Sequence, residues 1–499
     1  MASLPAAPRA VPGPAASLLT GNATALRRDL LGEFVRDRAR YGDLVRYQIG
    51  PRPPLGRTFL VAHHPDDVRQ VLSQTGRALS KDTAMFRAAG DVLGHSLLTD
   101  DGPGYRRQRR IVQPLFTARQ VRRYAPLMLQ EALATADALA DVGIAPGTEE
   151  RADLHLLAMR YTLRVVGRTL FGDDVERLVP VLDALIPEVG DAIRRRGLQV
   201  AQVPMRWPTL RNRRPRRLHR ELQDVVEEVL AGCARSDLGH SRDDLVGRLY
   251  DAADPAGAAP SARAAGQGSP AGGKDCRRGN DGPARGNDSH CGNGSPVGLT
   301  AQEVRDQALV FLLAGHETTA VALTSTLHLI GCHPDVQGDL VAELDSVLGR
   351  GPVRLEDVER LVATRAALQE AMRLYPPAYA VDRVTTAPLQ LAGYLVPPGT
   401  VVAASPWSTH RHPGFWPDPE RFDPARFLGN QERPRYAWFP FGGGPRSCVG
   451  EHFAMLEATI LLAALLRRYT VTAEPGTLHV LPRVTLHPVG TVPAVLAPR

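Results

Sequence analysis

Residues 441–450 read FGGGPRSCVG. Three glycines, a proline, an arginine and a serine lead into one cysteine, Cys448, and the apolar text at 450–468 predicts a helix that begins directly after it. A sulfur placed there meets the positive end of a helix and its unpaired N–H groups. The glycines let the backbone come close enough to donate hydrogen bonds, and Arg446 adds positive charge. All three effects favour a thiolate. A buried thiolate with no covalent or metal partner is costly, so Cys448 is either a nucleophile or a metal ligand. A nucleophile needs a histidine base placed by the fold, and no histidine is singled out. One thiolate with no companion ligand in its loop suits a metal that arrives already complexed, as haem iron does.

The text N-terminal to this loop organises around one long helix. Residues 299–334 read LTAQEVRDQALVFLLAGHETTAVALTSTLHLIGCHP. Thr300 and Glu303 have capping-box spacing and Pro334 closes the segment. Its length would be about 48 Å at 1.5 Å per residue, and it is apolar on most faces, so it is expected to run through the core. Polar AGHETT, residues 314–319, interrupts it. The small pair Ala314 and Gly315 permits a local kink and a groove, whereas Thr318 could simply bond back to the Ala314 carbonyl. The string is not HExxH, which removes a zinc-protease reading, and His316 is expected to be a surface or internally satisfied histidine. Helices are expected near 337–348 and 363–374, the latter ended by YPPAY. It carries Glu370 and Arg373, three apart on one face. Short strands are expected over 381–405, followed by the proline-rich meander HRHPGFWPDPERFDPARF at 410–427. Near the N-terminus a helix at 27–41 precedes two strands, DLVRYQIG and TFLVAH, around the turn PRPPLG. Residues 65–233 read as mostly helical.

Composition narrows the rest. The 499 residues are 43% hydrophobic and 23% charged, ordinary for a globular protein. Net charge is +7, but only Lys81 and Lys274 are lysines and 58 residues are arginine. With no basic tail or stripe, nucleic acid is not an expected partner. Cys233, Cys276, Cys291, Cys332 and Cys448 are widely spaced and odd in number, which fits neither a disulfide framework nor a zinc ribbon. The N-terminus, broken by prolines, lacks a signal-peptide pattern, and no window reaches the roughly 18 apolar residues of a spanning helix. A soluble cytoplasmic protein without a membrane anchor is expected. Residues 1–20 form a proline-rich leader to a single domain, 21–499. Residues 251–298 interrupt that domain: they hold no Leu, Ile, Met, Phe, Trp or Tyr and are expected to be a disordered surface insertion. Cys276, His290 and Cys291 within it read as a solvated loop rather than a metal site.

Phe441-x-x-Gly444-x-Arg446-x-Cys448-x-Gly450 resembles the haem-binding signature of the cytochrome P-450 monooxygenases. The AGHETT helix, the Glu370-x-x-Arg373 pair and the arginine of PDPERFDPARF, Arg421, resemble its companions in the family's order, and the likeness extends over about residues 10–490. The resemblance implies a mainly α fold with small β-sheets, one triangular domain with a β-rich lobe near the N-terminus, and haem b between the long helix and the cysteine loop. It implies that Cys448 ligates the iron, with Phe441, Ala314, Gly315 and Gly450 at the cofactor, and that Glu370, Arg373 and Arg421 form a buried structural cluster behind it. It implies that Thr318 hydrogen-bonds dioxygen and Glu317 feeds protons through water. In DGPGYRRQRR the family's usual tryptophan is Tyr105, four residues before Arg109. With Arg383 and Arg446 these would bind the haem carboxylates. Leu97, Leu98, Leu313, Ala314, Ala380 and Val381 would line the substrate site.

The activity so implied is O2-dependent monooxygenation of a lipophilic molecule, of the kind bacterial members perform on terpenoids or polyketides. Only 51 residues follow Cys448, too few for a reductase, so NAD(P)H-derived electrons are expected through a ferredoxin or flavodoxin with its reductase. The rivals are other haem-thiolate chemistry on the same fold (oxidative coupling, a peroxygenase or an isomerase) and a non-catalytic haem-binding protein.

Overall fold

A computed structural model describes residues 10–51, 56–141, 151–171, 178–199, 202–235, 249, 298–349, 351–429 and 432–499. Apart from Gly298, the low-complexity stretch 251–298 lies outside the described residues, as do most of the turn PRPPLG and Cys276, His290 and Cys291.

The chain folds around the helix Ala301–Cys332, 32 residues long. Its start is the capping box read from the sequence: the Thr300 side chain accepts from the Glu303 N–H at 3.2 Å, and Glu303 Oε2 accepts from the Thr300 N–H at 2.8 Å. Such a cap is worth about 1 kcal/mol. The helix packs chiefly on Leu154–Val166, and also on Val362–Leu374 and Glu451–Arg468. The Phe116 ring ties it to the last helix, with centroids 5.3 Å from Phe311 and 6.4 Å from Phe453. Thr318 and Thr319 donate to the carbonyls of Ala314 and Gly315, at 2.7 and 2.9 Å, and the helix runs on without a break. Gly315 serves a different need. A β-carbon there would stand 3.1 Å from Val166 Cγ2, so its smallness lets the two helices approach.

This helix also corrects the hydropathy reading. It is long and apolar enough to cross a membrane, and 72% of its apolar window is buried inside the protein. It is the core element expected from its apolar faces.

The two N-terminal strands and those over 381–405 were expected; Leu79–Ser80, Arg151–Asp153 and the strands after Tyr469 were not. Leu44–Ile49 and Arg57–Ala62 pair antiparallel, then Arg57–Ala62 pairs in parallel with Val401–Ala404. Val381–Thr385 and Leu79–Ser80 complete a five-stranded sheet. The β-rich lobe is therefore built from both ends of the chain. The described part of the proline-rich leader belongs to it, since the Arg46 N–H donates to the Pro12 carbonyl at 2.8 Å. A second sheet joins Arg151–Asp153, Pro493–Pro498 and Tyr469–Ala473, and a hairpin pairs Val480–Pro482 with Leu486–Pro488.

Candidate active site

Burial along the core helix is continuous from Asp306 to Gly331 except at Leu313, Ala314, Gly315, Glu317 and Thr318. A helix in the middle of a protein can open at one turn only onto an internal chamber. Cys448 shows the same signature. Its sulfur is open to a water-sized probe, yet burial, the largest influence, pushes its thiol above the ordinary value. The accessible surface around it is thus an inner one. The backbone N–H groups of Gly450 and Glu451 and the Arg109 guanidinium pull the other way. The forces expected to favour a thiolate are present, but in the protein alone they do not outweigh burial. A cation at the sulfur is what would tip the balance.

The loop that carries Cys448 is held by its backbone. The Cys448 N–H donates to the Phe441 carbonyl at 2.9 Å and the Gly442 N–H to Phe439 at 2.9 Å. Gly444 has φ +66°, and a β-carbon on it would stand 2.4 Å from the Leu72 carbonyl oxygen. Gly444→Ala is expected to destabilise the protein by about 1–3 kcal/mol and to lower its haem content, read by denaturation midpoint and by the pigment bound per chain.

Three side chains brace the same loop. Tyr105 Oη donates to the Pro445 carbonyl at 2.7 Å, and Arg109 Nη1 to the Ser447 carbonyl at 2.6 Å. Arg446 lies 3.3 Å over the Tyr105 ring, donates to the Asp100 carbonyl at 2.7 Å and ion-pairs with Asp101. The Tyr105 hydroxyl proton is given to the loop here. Arg383, on the strand Val381–Thr385, is buried and donates through Nε to Thr75 Oγ1 at 3.0 Å. Sequence reasoning missed Lys81. It is buried, its Nζ lies 4.3 Å from the centre of the Phe86 ring and donates to the Leu98 carbonyl, and burial followed by Arg383 and Arg446 pushes its pKa well down. Asp101 pairs with Arg446, and Asp382 acts on both Lys81 and Arg383, so this cluster of cations is partly balanced within the protein. The available signal was scarcity, since Lys81 is the one lysine outside the low-complexity stretch.

Behind the loop, Arg373 and Glu370 are fully buried. Arg373 Nε meets Glu370 Oε2 at 2.7 Å and Nη2 meets Oε1 at 2.8 Å. Arg373 also donates to the carbonyls of His410, Pro419 and Arg421, at 2.9, 2.6 and 3.0 Å. The third arginine is a correction. Arg421 contributes its carbonyl while its side chain is exposed. Arg426, five residues on, places Nε 3.4 Å from Glu370 Oε1.

On the core helix, burial pushes the Glu317 carboxyl up, and Thr485 Oγ1 donates to Glu317 Oε1 at 2.7 Å. Thr485 lies in the 480–488 hairpin and had no sequence signal, because only the tertiary fold brings it here. His316 is buried with Nδ1 2.9 Å from the Leu312 carbonyl, which makes it an internally bonded histidine. Of the expected lining, Leu97 is buried, while Leu98, Leu313, Ala314, Ala380 and Val381 are open or partly open.

These residues can be tested against a planar metal complex. An opening confined to one turn of a buried helix, a thiol under inward-facing surface and a set of buried cations fit haem held at Cys448 with its carboxylates toward the arginines.

Residues 11–487 match the family profile described as Cytochrome P450. The chain is 34% identical over 488 residues to cyclooctat-9-en-7-ol 5-monooxygenase of Streptomyces melanosporofaciens, covering 96% of this chain and 94% of the relative. It is 32% identical over 462 residues to cyclooctatin synthase of the same organism, covering 92% and 89%. It is 33% identical over 472 residues to pentalenene oxygenase of Streptomyces avermitilis, covering 94% and 91%. A profile match over nearly the whole length, joined by relatives matched from end to end, places the chain in the cytochrome P450 family of monooxygenases, which hold haem b and use O2 with electrons drawn from NAD(P)H.

Proposed function

We propose that this monooxygenase inserts one oxygen atom into a C–H or C=C bond of a terpenoid in bacterial specialised metabolism. The single observation that carries the reading is the chamber mouth on the core helix, where Glu317 and Thr318 open beside apolar Leu313 and Ala314. The relatives support the substrate class, since their names describe oxidation of cyclooctat-9-en-7-ol and of pentalenene. Turnover of a panel of terpenoids, steroids, macrolides and fatty acids, with O2 and NAD(P)H consumption matched to product, tests it. Activity confined to fatty acids would overturn the terpenoid assignment.

Bound haem supplies the redox chemistry that activates O2 with two electrons. The chain's residues do the rest. Cys448 would ligate the iron, steadied by the N–H groups of Gly450 and Glu451. Arg109, Arg383, Arg446 and Lys81 would balance the haem carboxylates. The apolar lining holds the substrate and keeps bulk water out. Thr318 offers a hydroxyl to the chamber. Glu317, whose carboxyl burial pushes up and Thr485 orients, would pass protons to that chamber. The pair favours an O2-dependent reaction over isomerisation or non-catalytic binding, neither of which needs a proton supply. The electron donor in this reading is a ferredoxin or flavodoxin with its reductase, in the cytoplasm, acting on one oxygenase domain over 21–499.

Glu317→Gln is expected to lower product formation about 10²-fold while electron uptake continues and appears as hydrogen peroxide. Because burial raises the carboxyl pKa, the acid form persists to higher pH than usual and is lost as pH rises through that raised value. The alkaline limb of the product-rate profile should therefore vanish in Glu317→Gln. Thr318→Ala should raise the peroxide share without changing haem content.

A further inference from the structure

One cation at the chamber makes no close ion pair among the described residues. Arg483 stands at the tip of the hairpin made by Val480–Pro482 and Leu486–Pro488. Three contacts fix that tip. Thr485 donates to Glu317 of the core helix at 2.7 Å, and Tyr379 Oη donates to the Arg483 carbonyl at 2.7 Å. On the third side a β-carbon at Gly190 would stand 3.8 Å from Arg483 Cβ and 3.7 Å from Val484 Cγ2, so the helix Val179–Gly197 closes over it. The backbone thus holds Arg483 between Glu317, the lining around Tyr379 and that helix.

Its guanidinium is unmatched. Nη1 is buried with no hydrogen-bond partner, and among the described residues no carboxylate ion-pairs with Arg483. Glu317 and Arg483 attract each other at a distance, but no hydrogen bond joins Nη1 to the carboxylate. Burial raises the Glu317 carboxyl, and His487, pushed down to about 4 by burial and then by Arg483, is neutral. Buried donors in native proteins are matched, by protein, water or ligand, and a guanidinium is suited to a planar or anionic oxygen acceptor. The chamber's other walls are largely apolar, so this donor is where a lipophilic ligand could be read for polarity.

We propose that Arg483 is a specificity residue that donates through Nη1 to an oxygen function, a hydroxyl or a carboxylate, on the substrate. The enzyme would then act on a lipophilic skeleton already oxygenated at another position. This inference rests on the monooxygenase reading above. It also sets a place in a reaction sequence: the preceding step is one that leaves an oxygen on the skeleton, an earlier oxygenation or a hydrolysis.

The test uses the haem-loaded full chain and measures binding, by absorption change and by calorimetry, for two matched sets: abietadiene, abietadienol and abietic acid, and dodecane, dodecanol and dodecanoic acid. The wild type is expected to bind the alcohol or the acid at least roughly 10-fold more tightly than the hydrocarbon of the same set. Arg483→Met should bring that ratio to within about twofold at unchanged haem content, and Arg483→Lys should keep part of it. Whether alcohol or acid is preferred identifies the oxygen function. The inference is overturned if the wild type shows no preference for oxygen, if Arg483→Met keeps the preference, or if no oxygenated probe binds. Oxygen preference confined to the dodecyl set would count against the terpenoid substrate and leave Arg483's role standing. Abietane binding without oxygen preference would do the reverse.

Discussion

Cys448→Ser is expected to reduce product formation to background and to abolish the thiolate-type absorption of the reduced carbon monoxide complex. A serine hydroxyl does not ionise in this range, so the replacement removes the negative charge that a haem iron would share. The loop should survive the change, because its shape rests on backbone bonds from Cys448 N–H to Phe441 and from Gly442 N–H to Phe439, and neither involves the sulfur. The measurement is the reduced carbon monoxide spectrum alongside circular dichroism. Retention of the thiolate-type band in Cys448→Ser would show that another group ligates the iron and would remove the basis of the site.

The second large effect is in the cluster behind the loop. Arg373→Ala is expected to cost about 3–5 kcal/mol, read as a lower urea midpoint at unchanged m, with haem content falling alongside. The substitution leaves the fully buried Glu370 without its two bonds from Arg373 and strips donors from three meander carbonyls. Arg426→Ala should cost less, since its contact with Glu370 is longer, at 3.4 Å. Arg421→Ala should stay within about 0.5 kcal/mol, as for an exposed side chain. If Arg421→Ala proved as damaging as Arg373→Ala, the assignment of the third arginine to position 426 would fall.

That contrast marks where sequence stops being legible. The text PERFDPARF offers two arginines five apart in nearly the same setting, and only the path of the meander decides which one turns toward Glu370. The capping box of the long helix, the Glu370–Arg373 pair and the glycine-rich loop could be read because each is local, set by residues three or four apart or by consecutive ones. The two N-terminal strands and those over 381–405 were visible for the same reason, but not the pairing of Arg57–Ala62 with Val401–Ala404, which local pattern does not encode. Thr485 and Lys81 escaped because a single polar residue in a hairpin and a single lysine before a helix gain meaning only from what the fold sets beside them. The small pair Ala314 and Gly315 could be read as room for a close neighbour, but that the neighbour is Val166 is set by the fold alone.

The mixed five-stranded sheet has a consequence for biogenesis. Phe59 pairs with Val401, so the first two strands leave the ribosome some 340 residues before the strand that will cover their edge. At bacterial elongation rates that is a wait of roughly 20–70 s, during which a two-stranded hairpin, marginally stable by itself, presents an open edge in the crowded cell. Cys448 emerges later still. Pigment capture at that cysteine would therefore come as a late, near-terminal event rather than as a seed for folding.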